Sequence, residues 1–230
     1  MAVERVNQPA AALLALDQVT RRLRRECPWD REQDARSIVP HTVEEAYELA
    51  DAAHSGDDAK LLDELGDVLF QVYFLALLLE ERGGGDLAAV AEQCRTKLVR
   101  RHPHVFAEGD AKDSAAVRRR WDEIKRVEEG RSGGIFGDLP ETLPGPLYAR
   151  KILRRAAEAP LPRPDTDDQV RRLRGAETRQ ERFEAAGALL LGAVSEAHEA
   201  GVDPELALRG AARDFGRRAE EAVDSGRVPL

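Results

Sequence analysis

Aromatic side chains are scarce, 5% of 230 residues. Ala, Leu, Glu and Arg dominate instead, a composition that favours an all-helical chain. Cysteine is almost absent. Cys27 and Cys94 are the only two and form no metal-spaced pair, so no thiolate metal site is expected. No signal peptide precedes the first expected helix, and with so few thiols this points to a reducing cytoplasm. Long apolar runs are missing too. The most apolar stretch, Val68 to Leu79, is interrupted by Gln71 and is too short to span a bilayer. An excess of positive charge is also lacking. The formal charge is −8, which argues against a general nucleic-acid binder. Residues 147–230 carry 15 basic and 15 acidic side chains, so the acid excess lies wholly in residues 1–146.

That acidity concentrates in HTVEEAYELADAAHSGDDAKLLDELGDVLFQ, His41 to Gln71. Thr42 followed by Glu45 has the form of a capping box, so a helix is expected to start at Thr42 and to end in the HSGDD cluster. A second helix is expected from about 58 to Leu79. Glu45 and Glu48 are three apart on the first, Glu64 and Asp67 three apart on the second, so each pair shares a face. Position 56 is the midpoint both of Glu48 and Glu64 and of Glu45 and Asp67. An antiparallel hairpin turning at Gly56 therefore sets four carboxylates level. Such a cluster repels itself unless cations sit in it, and its oxygens suit Mg2+ or Mn2+. The plainer reading is that acids decorate solvated helix faces.

Elsewhere the chain reads as helices punctuated by Gly and Pro. Pro9 to Arg25 is expected to be amphipathic and to pack on the hairpin. Trp29, in Cys27-Pro28-Trp29-Asp30, either lies at a pocket mouth or pins a loop to the core. Gly83 to Gly85 stop the long helix, and Asp86 caps another that reaches Arg101. Lys97 and Arg101 share its face, either for a polyphosphate or simply as cations near a helix C-terminus. His102 and His104, around Pro103, are expected to pack the turn. Ser114 is expected to cap a helix to Glu129 bearing Trp121 and Lys125, which offer a stacking face and a phosphate contact if Trp121 is not ordinary core. Gly and Pro crowd residues 130–146. The organisation expected is a helical domain at 1–130, a linker at 131–146 and a second helical domain at 147–230.

CPWD, EEAYE, ELGDVLFQ, KLVRRHPHVF and WDEIK occur in the order seen in the MazG family of all-α nucleoside triphosphate pyrophosphohydrolases, which the chain resembles. The resemblance implies an all-α fold of tandem MazG-like helical bundle domains and a Mg2+-dependent enzyme. Its reaction is hydrolysis of nucleoside triphosphates to monophosphate and pyrophosphate. It places the metal on Glu45, Glu48, Glu64 and Asp67. Glu44 falls beside that motif, as a general base, an outer ligand or a solvated acid. Lys60, Lys97, Arg101, Trp121 and Lys125 match nucleotide-binding positions, and family members generally assemble as dimers or larger oligomers. Base stacking tolerates many bases, so broad specificity is expected. The second domain departs from the pattern and is degenerate. FEAAGALLLGAV puts Ala185 and Ala188 where Glu64 and Asp67 stand, VRRLRGAE puts Arg171 and Arg172 where acids are expected, and Asp214 replaces the lysine of KLVRR. Two rival readings are a non-catalytic nucleotide sensor or interaction module and a di-iron bundle. The second lacks the paired Glu-x-x-His motifs it needs.

Overall fold

The computed structural model describes residues 2–107, 142–156 and 165–225, together with 113, 116, 117, 120, 121, 123, 124, 128, 136, 139 and 140. Every regular element among them is a helix. The chain divides into two compact units, Met1–Ile124 and Lys125–Leu230.

In the first unit the helices are α1 (Ala2–Glu26), α2 (Pro28–Glu32), α3 (Ala35–Ser55), α4 (Asp58–Glu81), α5 (Leu87–Arg101) and α6 (Pro103–Phe106). Two starts differ from expectation. α1 runs through Pro9 instead of beginning there. α3 begins seven residues before Thr42, because Asp34 accepts from the backbone N–H of Arg36 and Ser37 while the Ser37 hydroxyl accepts from Asp34 N–H. That reciprocal cap starts the helix early enough for Pro40 to sit inside it, at the cost of one backbone hydrogen bond. Thr42 is thus mid-helix, its hydroxyl 3.3 Å from Ile38 O.

The hairpin turn is where the midpoint rule sets it. Gly56 adopts φ 71°, which a glycine tolerates at a helix C-terminus, and Asp57 caps α4 through the N–H groups of Ala59 and Lys60. Residues equidistant from Gly56 then face each other along the pair. Ile38 and Phe74 meet in the core with Leu78, both at 2% exposure or less. Burying each contributes about 1.5–3 kcal/mol. One turn closer to Gly56, Thr42 meets Gln71. Beyond them come the acids.

α1 is tied to the far end of α4 by two forked ion pairs. Arg21 contacts Glu80 at 3.1 and 2.6 Å, and Arg24 contacts Glu81 twice at 2.8 Å. Arg24 also donates to the carbonyls of Asp30 and Gln33, so one guanidinium fixes α2 against α1 and α4. Glycines stop α4 as expected, and Asp86 caps α5 by accepting from Ala89 N–H. Asp113, one residue before the expected Ser114, accepts from Ala116 N–H. Ser114 itself, Lys125 and Glu129 lie outside the described residues.

The second unit contains α7 (Gly145–Arg155), α8 (Thr166–Gly175), α9 (Arg179–Glu199) and α10 (Pro204–Asp224). α8 and α9 form a hairpin turning near 177, with Thr178 and Glu181 in a capping box. Gln169 on α8 and Ala185 on α9 are both buried. Arg172 donates to Gln169 at 3.2 Å and lines a cavity together with Glu181, Glu184 and Ala185.

Candidate functional site

On the α3–α4 hairpin, carboxylate oxygens of Glu45, Glu48 and Glu64 lie within 4.8 Å of one another. Glu48 is exposed while Glu45 and Glu64 are half-buried, so the cluster opens to solvent on one side. Asp67 stands outside that trio. Its charge still acts on both half-buried acids. Burial raises the Glu45 carboxyl above its ordinary value, and the charges of Asp67, Glu48, Glu64 and Glu44 add to the rise. Glu64 is raised the same way, by burial first, then by Glu48 and Asp67, with Lys60 pulling the other way. Glu64 Oε2 is closed off from solvent and has no hydrogen-bond partner. A buried carboxylate oxygen left unpaired is costly, and a hard cation among three carboxylates is the chemical partner that relieves it. The donor set therefore fits a divalent metal.

The remaining predicted residues are distributed around this cluster. Glu44 is exposed, with His41 Nδ1 3.8 Å from its carboxylate. Lys60 is exposed one turn before Glu64, on the side of the hairpin turn. Lys97 is exposed on α5 and makes no ion pair with any described residue. The Arg101 guanidinium sits 5.0 Å from the Trp121 ring centroid, a cation–π contact that covers one face of the indole. Trp29 is 51% exposed and packs edge-on against His41 at 5.8 Å, so it carries an open aromatic surface beside α3. His102 and His104 pack against each other at 5.6 Å, and His102 Nδ1 lies 2.6 Å from Leu98 O, in keeping with a role in the turn.

Sequence reasoning overlooked the rung next to the acids. Gln71 stood out only as a break in an apolar run, yet it is 7% exposed. Its Oε1 lies 3.4 Å from Thr42 Oγ1, and the rest of its carboxamide has no partner among the described residues. The signal was present. The midpoint rule that pairs the acids also pairs Thr42 with Gln71, to within half a residue.

No described helix is long and apolar enough to cross a membrane. Residues 33–106 match the MazG nucleotide pyrophosphohydrolase domain. A nucleoside triphosphate pyrophosphohydrolase of Escherichia coli (strain K12) is 36% identical over 223 residues, covering 91% of this chain and 85% of its own. A Thermotoga maritima protein, nucleoside triphosphate pyrophosphohydrolase/pyrophosphatase MazG, is 35% identical over 215 residues, covering 89% and 83%. The crystal structure of a MazG-related protein from Thermotoga maritima is 26% identical, spans 49% of this chain and 97% of its own, and aligns with a TM-score of 0.43. The acidic hairpin lies inside the matched residues, the two relatives align along most of both chains, and the chain accordingly belongs to the MazG nucleotide pyrophosphohydrolase family.

Proposed function

We propose that this chain hydrolyses nucleoside triphosphates to monophosphate and pyrophosphate at the α3–α4 hairpin. Glu45, Glu48, Glu64 and Asp67 would hold Mg2+, with Mn2+ as a substitute. The observation that carries this reading is the convergence of three carboxylates, one with a buried, unpartnered oxygen. When bound, the metal supplies Lewis acidity toward phosphoryl oxygen and lowers the pKa of water.

The protein's own groups do the rest. The acids repel a bare triphosphate, so a site without cations is closed to its substrate. Lys60, beside Glu64, neutralises the phosphate chain, with Lys97 and Arg101 as further cations from α5 and Lys125 beyond the described residues. Trp121, backed by Arg101, offers a flat face to a base. Stacking there discriminates little between bases, which gives broad base specificity. In the bond-breaking step water adds to the α-phosphorus as the bond to the α–β bridging oxygen breaks, and pyrophosphate leaves with the bonding pair. Glu44, whose charge acts on Glu45 in the cluster, would accept the proton that the water loses. The second hairpin has Ala185 and Ala188 where Glu64 and Asp67 stand in the first, so the chemistry is assigned to the first unit alone.

The test is to incubate the full chain with several nucleoside triphosphates, with Mg2+ and with excess chelator, and to separate the products by ion exchange. Monophosphate with pyrophosphate, formed only with Mg2+, is the expected result. Diphosphate with orthophosphate would refute the cleavage position.

A further inference from the structure

The hairpin is a ladder whose rungs change character in order. Nearest the turn is Lys60, a cation. Next come Glu48 with Glu64 and Glu45 with Asp67. One turn further, about 5 Å along the helices, is the neutral pair Thr42 and Gln71. The apolar pair Ile38 and Phe74 closes the series. At this end Trp29 leans its open ring on His41.

Gln71 is the odd member. A carboxamide has one acceptor and two donors. The Thr42 hydroxyl, which also faces Ile38 O at 3.3 Å, engages one end of it at 3.4 Å. The other end meets no group among the described residues and, unlike Glu64 Oε2, is not closed off from solvent, although the residue is 93% buried. Whichever way the amide is turned, one end stays unpaired. A carboxamide on a residue only 7% exposed has little access to water, so its open end is poorly satisfied without a ligand. Gln71 shares its helix face with Asp67 and Glu64, four and seven residues back, so its side chain leaves α4 on the face that carries the acids.

We infer that Gln71, oriented by Thr42, hydrogen-bonds a sugar hydroxyl of the nucleotide. The substrate then lies along the hairpin with its polyphosphate toward Lys60 and Gly56 and its sugar toward Gln71. This rests on the proposed nucleotide site and adds its polarity and a specificity contact. A polyphosphate belongs on the cationic side of the acids. In the other direction the sugar is the group bonded next to the α-phosphate. A neutral amide and hydroxyl suit a neutral hydroxyl ligand better than a phosphate, which would draw a cation.

The test is equilibrium binding, so that it does not depend on turnover. Non-hydrolysable α,β-methylene analogues of a ribonucleoside triphosphate and of its 2′,3′-dideoxy counterpart are titrated calorimetrically with Mg2+ into the full chain and into Gln71→Met. The wild type is expected to favour the ribo form about tenfold or more. In Gln71→Met that preference falls to near one through weaker ribo binding, with dideoxy binding held. Metal-free Gln71→Met is expected to melt no lower than the wild type, since it loses only one long contact, 3.4 Å to Thr42, and keeps an apolar side chain of similar size. Equal affinity for both nucleotides in the wild type, an unchanged ratio in the variant, or a variant that melts several degrees lower overturns the inference. If Gln71→Met does not fold, Thr42→Val, which removes the orienting hydroxyl, must lower the same ratio. A preserved binding ratio in a chain that releases no pyrophosphate would refute the hydrolase reading and leave this contact standing.

Discussion

Replacing Glu45 by Gln separates two effects of the acidic cluster. Without metal, Glu45 is a half-buried acid opposed by Asp67, Glu48, Glu64 and Glu44, so removing its charge relieves repulsion and the melting temperature should rise. With metal the sign reverses. Mg2+ at a hundred times its dissociation constant stabilises the wild type by about 2.7 kcal/mol, or roughly 5–10 °C for a chain of this size. If losing one charged ligand weakens binding about a hundredfold, the same Mg2+ stabilises Glu45→Gln by only about 0.4 kcal/mol, near 1 °C. The assay is thermal unfolding of both proteins in chelator and in Mg2+, at matched ionic strength. Equal Mg2+ responses in wild type and variant would refute the reasoning, as would a metal-free variant that melts lower.

The same structure sets three further outcomes. Glu45 and Glu64 are held above 4.5, so the folded state keeps their protons more tightly than the unfolded chain; the stability they contribute is present below 4.5 and is lost as pH rises through their raised values. A cation must displace those protons, so Mg2+ affinity should begin to fall while pH is still above the ordinary carboxylate range, and titrations showing constant affinity down to pH 4.5 would contradict this. Gly56→Ala meets no atom within 4 Å but must hold φ 71°, at about 1 kcal/mol; it should melt about 3 °C lower with turnover at 25 °C retained. Changing Ala185 and Ala188 together to Gly should cost about 2 kcal/mol of stability by helix propensity and leave turnover intact, and a selective loss of turnover would show that the second hairpin takes part in the chemistry.

How legible the site was depended on which signals are local. The four acids could be placed from spacing alone, because i,i+3 pairs and one glycine turn fix both faces and register of a hairpin. Even so, Asp67 falls outside the tight trio that the other three form. The start of α3 is misread from sequence because Pro40 looks like a breaker and Thr42 with Glu45 like a cap, while Asp34 and Ser37 make the stronger cap further upstream. Proline inside a helix is settled by what surrounds it, and neighbouring residues in sequence do not carry that information. Gln71 shows the opposite limit. Its identity and register are in plain view, but its burial and its contact with Thr42 exist only once α3 lies against α4. Likewise the Arg101–Trp121 contact joins residues 20 apart that helical spacing cannot connect.

The most direct test of the claim that the α3–α4 carboxylates perform the hydrolysis is the rate of pyrophosphate release by Glu48→Gln against the wild type, with Mg2+ and a nucleoside triphosphate. Glu48 is exposed, so the fold should survive the change. The expected result is loss of release by at least about a hundredfold at a metal-free melting temperature no lower than that of the wild type. Release at the wild-type rate would contradict the assignment and move the chemistry away from this hairpin.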